Sequence, residues 1–313
     1  MFENFIISLE AVAPMFIIMA TGVLLRRKNF LNETEVKKLN KLVFNVFFPC
    51  LMFSNIYGAE VGEAFDKKLI LYCILMILAV FFTAMAVIVK IEPENKNRGA
   101  MIQAIYRSNF VIMGIPIVSN IFGGEQLATA AIAVTIVVPL FNVLAVVVLE
   151  IFRGGKPSPL HILKGIAKNP LIIGAVLGIL TIPFHIVLPD LVENVVYSLK
   201  DVATPMALVI LGMSLNLKDM GEEKRNLMVC VLGRLVIVPA VALTVGALIG
   251  LRGVSFVTLI AVFASPTAVS SFTMAEQMDS NGQLAANAVV FSSALASVTM
   301  FCWIFLFKSL GMF

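Results

Sequence analysis

The chain has 313 residues, 60% of them hydrophobic and 13% charged, with a net charge of +4 and a mean hydropathy of +0.99. Soluble domains are about 45–50% apolar and about 25% charged, and a globule of this size cannot hide so much apolar surface, because a large part of any fold faces water. A separate soluble catalytic domain, a nucleic-acid binder with a basic stripe and a membrane barrel of alternating apolar and polar residues are all excluded, and the solvent is a bilayer.

Ten apolar segments follow one another: 5–25, 38–57, 69–89, 100–122, 127–151, 163–184, 192–215, 226–250, 255–278 and 285–307. A spanning helix needs about 20 residues, so the loops between ten of them are short. The first segment reads as a span and not as a cleavable leader, since Arg26, Arg27 and Lys28 follow it and no Lys or Arg precedes it. Along this path sixteen of the 23 Lys and Arg fall on one side, including Arg26, Lys37, Lys96, Lys164 and Lys224. Four, Lys67, Lys68, Arg252 and Lys308, fall on the other. Basic loops stay in the cytoplasm. Both termini are therefore expected outside, in a multi-pass protein of the cell membrane. Cys50, Cys73, Cys230 and Cys302 lie within apolar runs and read as small core residues. His161 and His185 belong to no metal-spaced cluster, so no metal and no cofactor is expected.

The segments repeat. "APMFIIMATGVLLRR" at 13–27 resembles "NPLIIGAVLGILTIP" at 169–183, pairing Pro14 with Pro170 and Gly22 with Gly178. Pro49 pairs with Pro205 at the same offset, and Pro116 in "MGIPIVS" pairs with Pro266 in "FASPTAV". Two halves, 1–152 and 153–313, follow. Each has five segments, an odd number, so the halves lie oppositely in the membrane, as in many secondary transporters. The fold class expected is an all-α polytopic membrane protein of ten transmembrane helices, built as two inverted five-helix repeats.

The fourth and ninth segments carry the polar signal. Gly114 and Pro116 sit mid-segment in one, and Ser265, Pro266 and Thr267 in the other. Proline donates no backbone hydrogen bond and clashes with the carbonyl four residues back. Two helices broken at matching places of inverted repeats meet near the midplane, where freed carbonyls and positive half-helix ends hold a polar or anionic ligand. An ordinary kink is the plainer reading of either proline. Charges deep within segments are functional candidates. Arg107 has two readings, attraction of a carboxylate or snorkelling to the interface. Arg234 likewise either meets substrate or caps a half-helix carbonyl end. Asp201, beside Lys200, pairs by repeat offset with Asn45; with Glu276 it is a candidate for coupling, and a structural pair is the alternative. No carboxylate sits in "MGIP" or "FASPT", which suits an anion, or Na⁺ held by carbonyls, better than a proton relay.

"GVLLRRKNFLNETEVKKLNKLVFNVFFPCLMF", "NFVIMGIPI" and "FTMAEQM…AANAVVFSS" together resemble the auxin efflux carrier family, over essentially the whole chain. That family includes the plant PIN-type carriers and bacterial carriers of malonate and other small carboxylates. The resemblance implies that helices 4 and 9 cross at their prolines. It implies a scaffold of segments 1, 2, 6 and 7, and a transport unit of 3–5 and 8–10 that moves as an elevator. It further implies a homodimer through the scaffold helices and a small organic anion as substrate. Carried over residue by residue, it assigns substrate binding to Asn109, Gly114, Ile115, Pro116, Ser265, Pro266 and Thr267, with Asn45 and Arg234 added. The long loop of the plant carriers between segments 5 and 6 is reduced here to "RGGKPSPLHILKG".

A Na⁺-coupled organic-anion symporter of the bile-acid type is the nearest alternative. An intramembrane enzyme would need a nucleophile with its base or a metal set, and neither histidine supplies one, so no enzyme activity is expected. A channel would not require paired broken helices.

Overall fold

In the computed structural model of the chain, residues 2–57, 66–122, 127–153, 159–184, 186–215 and 223–313 are described; for residues 2–12, Met113 and His161 the description covers the backbone alone. The basic residues Lys156 and Lys218, and His185, lie outside these ranges.

Every described element is helical. In chain order they are α1 (Phe2–Arg27), α2 (Glu33–Leu42), α3 (Phe48–Ile56), α4 (Lys67–Ile91), α5 (Asn95–Tyr106), α6 (Ile115–Phe122), α7 (Leu127–Phe152) and α8 (Pro159–Lys168). They continue with α9 (Pro170–Thr181), α10 (Asp190–Ser214), α11 (Lys224–Leu232), α12 (Val238–Leu248), α13 (Gly253–Ala264), α14 (Ser270–Gln277) and α15 (Gly282–Ser309). Three π-helical turns, Val43–Phe47, Phe110–Gly114 and Gly233–Ile237, join α2 to α3, precede α6, and join α11 to α12. Among the described residues six helices are long and apolar enough to cross a membrane: Glu33–Ile56, Lys67–Ile91, Leu127–Phe152, Asp190–Ser214, Lys224–Leu248 and Gly282–Ser309. The protein is thus a polytopic all-α membrane protein.

Each π turn ends two residues before a proline: Pro49, Pro116 and Pro239. A proline leaves the carbonyl four residues back without its donor, and widening the turn lets the chain stay helical. The Phe48 N–H accordingly bonds the Val43 carbonyl, and the Val238 N–H bonds that of Gly233. The Leu235 carbonyl, which faces Pro239 in the helical register, accepts the Trp303 indole N–H at 3.0 Å.

The sixth apolar segment, read from 163 as one run, is instead bent by 62° between Ile162–Lys168 and Pro170–Thr181. Pro170 disfavours helical backbone at the residue before it. Asn169 is extended there, and its side chain caps α9 by accepting from the Leu171 N–H at 3.0 Å.

Two helix pairs make the most extensive contacts, α1 with α10 and α3 with α9. Both are close glycine-mediated approaches. A Cβ on Gly22 of α1 would overlap the Val209 carbonyl of α10, and one on Gly178 of α9 would come within 3.0 Å of the Phe53 carbonyl of α3. Small residues let membrane helices pack backbone to backbone, where dispersion contacts replace the hydrophobic drive that lipid does not supply. Outward-facing Leu71, Leu75 and Phe82 on α4, and Ile173 and Leu177 on α9, are exposed, as helices in lipid require.

A polar cluster ties the ends of four other helices. Glu92, after α4, accepts from Asn97 of α5 at 3.2 Å and from Asn226 of α11 at 2.6 Å. Asn281, the N-cap of α15, bonds Asn97 at 2.8 Å and also Glu223.

Candidate functional site at the helix crossing

The two interrupted segments cross. α5 stops at Tyr106 and helical backbone resumes at Phe110; α13 stops at Ala264 and α14 begins at Ser270. Between these ends Ser108 and Thr267 form an isolated antiparallel bridge, and the Asn109 N–H donates to the Pro266 carbonyl at 2.7 Å.

A helix stopped inside a membrane leaves its last carbonyls without donors, and lipid supplies none. Here they are met. The Gln103 carbonyl accepts the Arg107 N–H at 3.1 Å, and that of Ala104 accepts the Thr267 hydroxyl at 2.9 Å. The Ala261 carbonyl accepts the Ser265 hydroxyl at 2.6 Å. Arg234, fully buried at 0% exposure, supplies the rest. Its Nη1 donates to Ile105 (3.2 Å) and Tyr106 (3.1 Å), its Nη2 to Val262 (3.1 Å) and Phe263 (2.7 Å), and its Nε to Ser265 (2.7 Å). Val262 is the residue whose carbonyl Pro266 deprives of a partner. One guanidinium, with five donors in all, clamps the carbonyl ends of both half-helices.

On the other side of the crossing lies a cavity of about 110 Å³. Its polar wall is Arg107, Ser108, Asn109, Asn142 and Ser270; facing them are Phe48, Leu51, Met52, Leu171 and Ala207, with Asn55 and Thr204 the polar residues of that wall. The cavity therefore meets the starts of the two resumed helices, Phe110–Phe122 and α14, whose N-terminal dipole ends are positive. Arg107 is buried at 2% exposure. It donates from Nη1 to Met274 Sδ at 2.9 Å, and from Nη2 to Ser270 Oγ at 2.6 Å and to Asn142 Oδ1. Asn109 is buried, with one weak bond from Nδ2 to Met15 Sδ at 3.8 Å.

The residues singled out in the sequence divide. Asn109 lines the cavity. Ser265, Pro266, Thr267 and Arg234 build the crossing behind it. Gly114, Ile115 and Pro116 lie beyond it, because the first break falls at 107–109 and the backbone is helical through 110–122. Gly114 serves packing: a Cβ there would come within 2.5 Å of the Phe110 ring and 2.7 Å of Ala261 Cβ. Asn45 and Asp201 are exposed on α2–α3 and α10; Asn45 donates to the Lys41 carbonyl at 2.7 Å, and Asp201 pairs with Lys200 at 3.7 Å. Glu276 lines a separate cavity of about 220 Å³ with Arg26, Lys37 and Asn40. Sequence reasoning passed over Ser108 and Asn142, whereas Ser270 stood out as one of the hydroxyls around Pro266; for Asn142 the signal was an amide within an apolar segment.

A relative from Methanothermobacter thermautotrophicus, described as an uncharacterized transporter, is 25% identical over 301 residues, covering 95% of this chain and 97% of the relative. One from Methanocaldococcus jannaschii, also an uncharacterized transporter, is 24% identical over 308 residues, covering 95% and 98%. The family model described as membrane transport protein matches residues 7–304, and with nearly its whole length covered the chain belongs to this family of membrane transporters, the auxin efflux carrier family.

Proposed function

We propose that this transporter is a secondary carrier of small organic anions that works by elevator-type alternating access in the cell membrane. The observation that carries the reading is the cavity at the crossing, which has a polar, positive wall from the interrupted helices and an apolar wall from α3, α9 and α10. Two positive helix starts and the buried Arg107 guanidinium favour a negative ligand. The scaffold is α1, α2–α3 and α8–α10; the moving unit is α4–α7 and α11–α15. Asn109 binds the substrate, and Arg234, Ser265 and Thr267 position the crossing.

The chain spans the membrane ten times in two inverted halves, 1–152 and 153–313. Supporting this, the contact of Gly22 with Val209 and that of Gly178 with Phe53 are mates at one repeat offset. The α1–α10 and α3–α9 pairs are likewise exchanged by the repeat. Both termini lie outside, and two copies associate through scaffold helices. Cysteines placed singly at Lys96 and Lys224 should label only from the cytoplasm and one at Lys67 only from outside; labelling of Lys67 and Lys96 from one side ends the ten-span reading.

The functional test is uptake of labelled carboxylates into sealed proteoliposomes. Saturable uptake that follows membrane potential or pH is expected. Strict dependence on Na⁺ would favour a symporter, and flux that never saturates would favour a channel.

A further inference from the structure

Arg107 is a buried cation with an incomplete set of partners. A guanidinium has five N–H groups. Three of those of Arg107 are used, one on a thioether, which is a weak acceptor, and two on the neutral oxygens of Ser270 and Asn142. Its Nε–H and the second Nη1 hydrogen have no partner among the described residues, and no carboxylate there pairs with it. An ion held out of water without a counter-charge is costly, and this one lines the cavity. The Ser108 hydroxyl on the same wall is buried and also lacks a partner among the described residues. The facing wall carries no cation, and Arg234, with all five donors on carbonyls, has nothing left to offer a ligand.

We propose that Arg107 is the charge partner of a substrate carboxylate, and that this single cation opposite an apolar wall restricts the carrier to monocarboxylates with a short apolar tail. The inference rests on the carrier reading above. The carboxylate takes the two free N–H groups of Arg107, a charge-assisted contact, and the Asn109 amide adds a donor. The tail points at Phe48, Leu51, Met52 and Leu171. The cavity, about 110 Å³, is several waters in size and suits an acid of few carbons. A dicarboxylate puts its second charge on a wall whose polar groups, Asn55 and Thr204, are neutral, so no cation there offsets it.

Calorimetry on the purified full-length protein tests this with three ligands of three carbons each: propionate, propionamide and malonate. Propionate is expected to bind, with propionamide and malonate weaker by at least about 30-fold, the usual effect of an unmatched buried charge. Arg107→Gln should lose at least about 30-fold for propionate while its melting temperature holds, since the substitution removes an uncompensated charge. Arg107→Lys should recover part of the loss. Equal binding of propionate and propionamide, malonate as tight as propionate, no propionate binding at all, or wild-type affinity in a folded Arg107→Gln would each overturn the proposal. Should Arg107→Gln not fold, the comparison of ligands on the wild type decides by itself. Saturable dicarboxylate flux unaffected by Arg107→Gln would remove this inference and leave the carrier; absence of flux for every acid would remove both.

Discussion

Arg107 and Arg234 look alike in the sequence: one arginine deep in each half, with no carboxylate beside it. In the fold both are buried, and both stand at the crossing. They differ in what their donors meet. Arg234 has five carbonyls at 2.7–3.2 Å, all at the ends of stopped helices, where the partial charge is negative. Arg107 has three neutral partners and a cavity. A buried arginine with its donors filled by backbone is part of the framework; one with donors left over and open space beside it awaits a ligand. Counting donors separates the two, whereas burial and charge do not.

The widest gap should open on Arg234→Ala. It removes five bonds to buried carbonyls in a place water does not reach, and loss of such a group typically costs about 3–5 kcal/mol. Thermal unfolding in detergent should show a large drop, and the fraction that stays folded should bind carboxylate normally. Unchanged melting would mean that the clamp holds nothing.

Asn109→Ala is the ligand-side counterpart. Its amide has one weak protein partner, so stability should hold. A lost hydrogen bond to a charged ligand is worth about 1.5–3 kcal/mol, or roughly 10- to 150-fold in affinity. Wild-type affinity with lowered melting would place Asn109 in the framework with Arg234.

Gly114→Ala adds a methyl where Phe110 and Ala261 already stand at 2.5 and 2.7 Å, and overpacking of this kind costs about 1–3 kcal/mol. Melting should fall, and calorimetry should find affinity nearly intact. A gain in stability would show that the helices at the crossing have room to spare.

The smallest effect should come from Pro116→Ala. Pro116 lies in a helical run, so alanine there should shift melting by less than about 1 kcal/mol and leave uptake intact. Pro266→Ala, by contrast, restores a donor for the Val262 carbonyl that Arg234 now serves, and uptake should fall steeply. Equal loss from both would return the first break to Pro116.

These two prolines also mark how far the sequence could be read. The all-helical membrane fold, the family and the meeting of two interrupted segments were legible from hydropathy, proline placement and motif. Pro266 lies in its break. Pro116 does not, because the first break is set by bonds from far along the chain. Pro266 takes the Asn109 N–H, and Arg234 and Thr267 hold the carbonyls that α5 leaves open. No local residue encodes that, so a local reading put the break seven residues too late. The bend at Asn169 was written locally, as an Asn-Pro pair, but a continuous apolar run concealed it. For Arg234 the sequence left two readings open, a meeting with substrate or the capping of a carbonyl end, and the positions of five carbonyls from two other segments decide for the cap.

Two uncompensated guanidinium groups also give the crossing an electrical character. A membrane potential of 100 mV does about 2.3 kcal/mol of work on each elementary charge carried fully across. A body that holds Arg107 and Arg234 within the apolar layer therefore feels the field whenever it shifts along the membrane normal, and a bound carboxylate cancels one of its two charges. On the elevator reading proposed above, a negative cell interior would draw the empty form toward the cytoplasm more strongly than the loaded form, which would leave the resting carrier with its cavity turned inward. Voltage steps on reconstituted membranes should then evoke transient currents without any substrate, and those currents should shrink as a monocarboxylate fills the cavity.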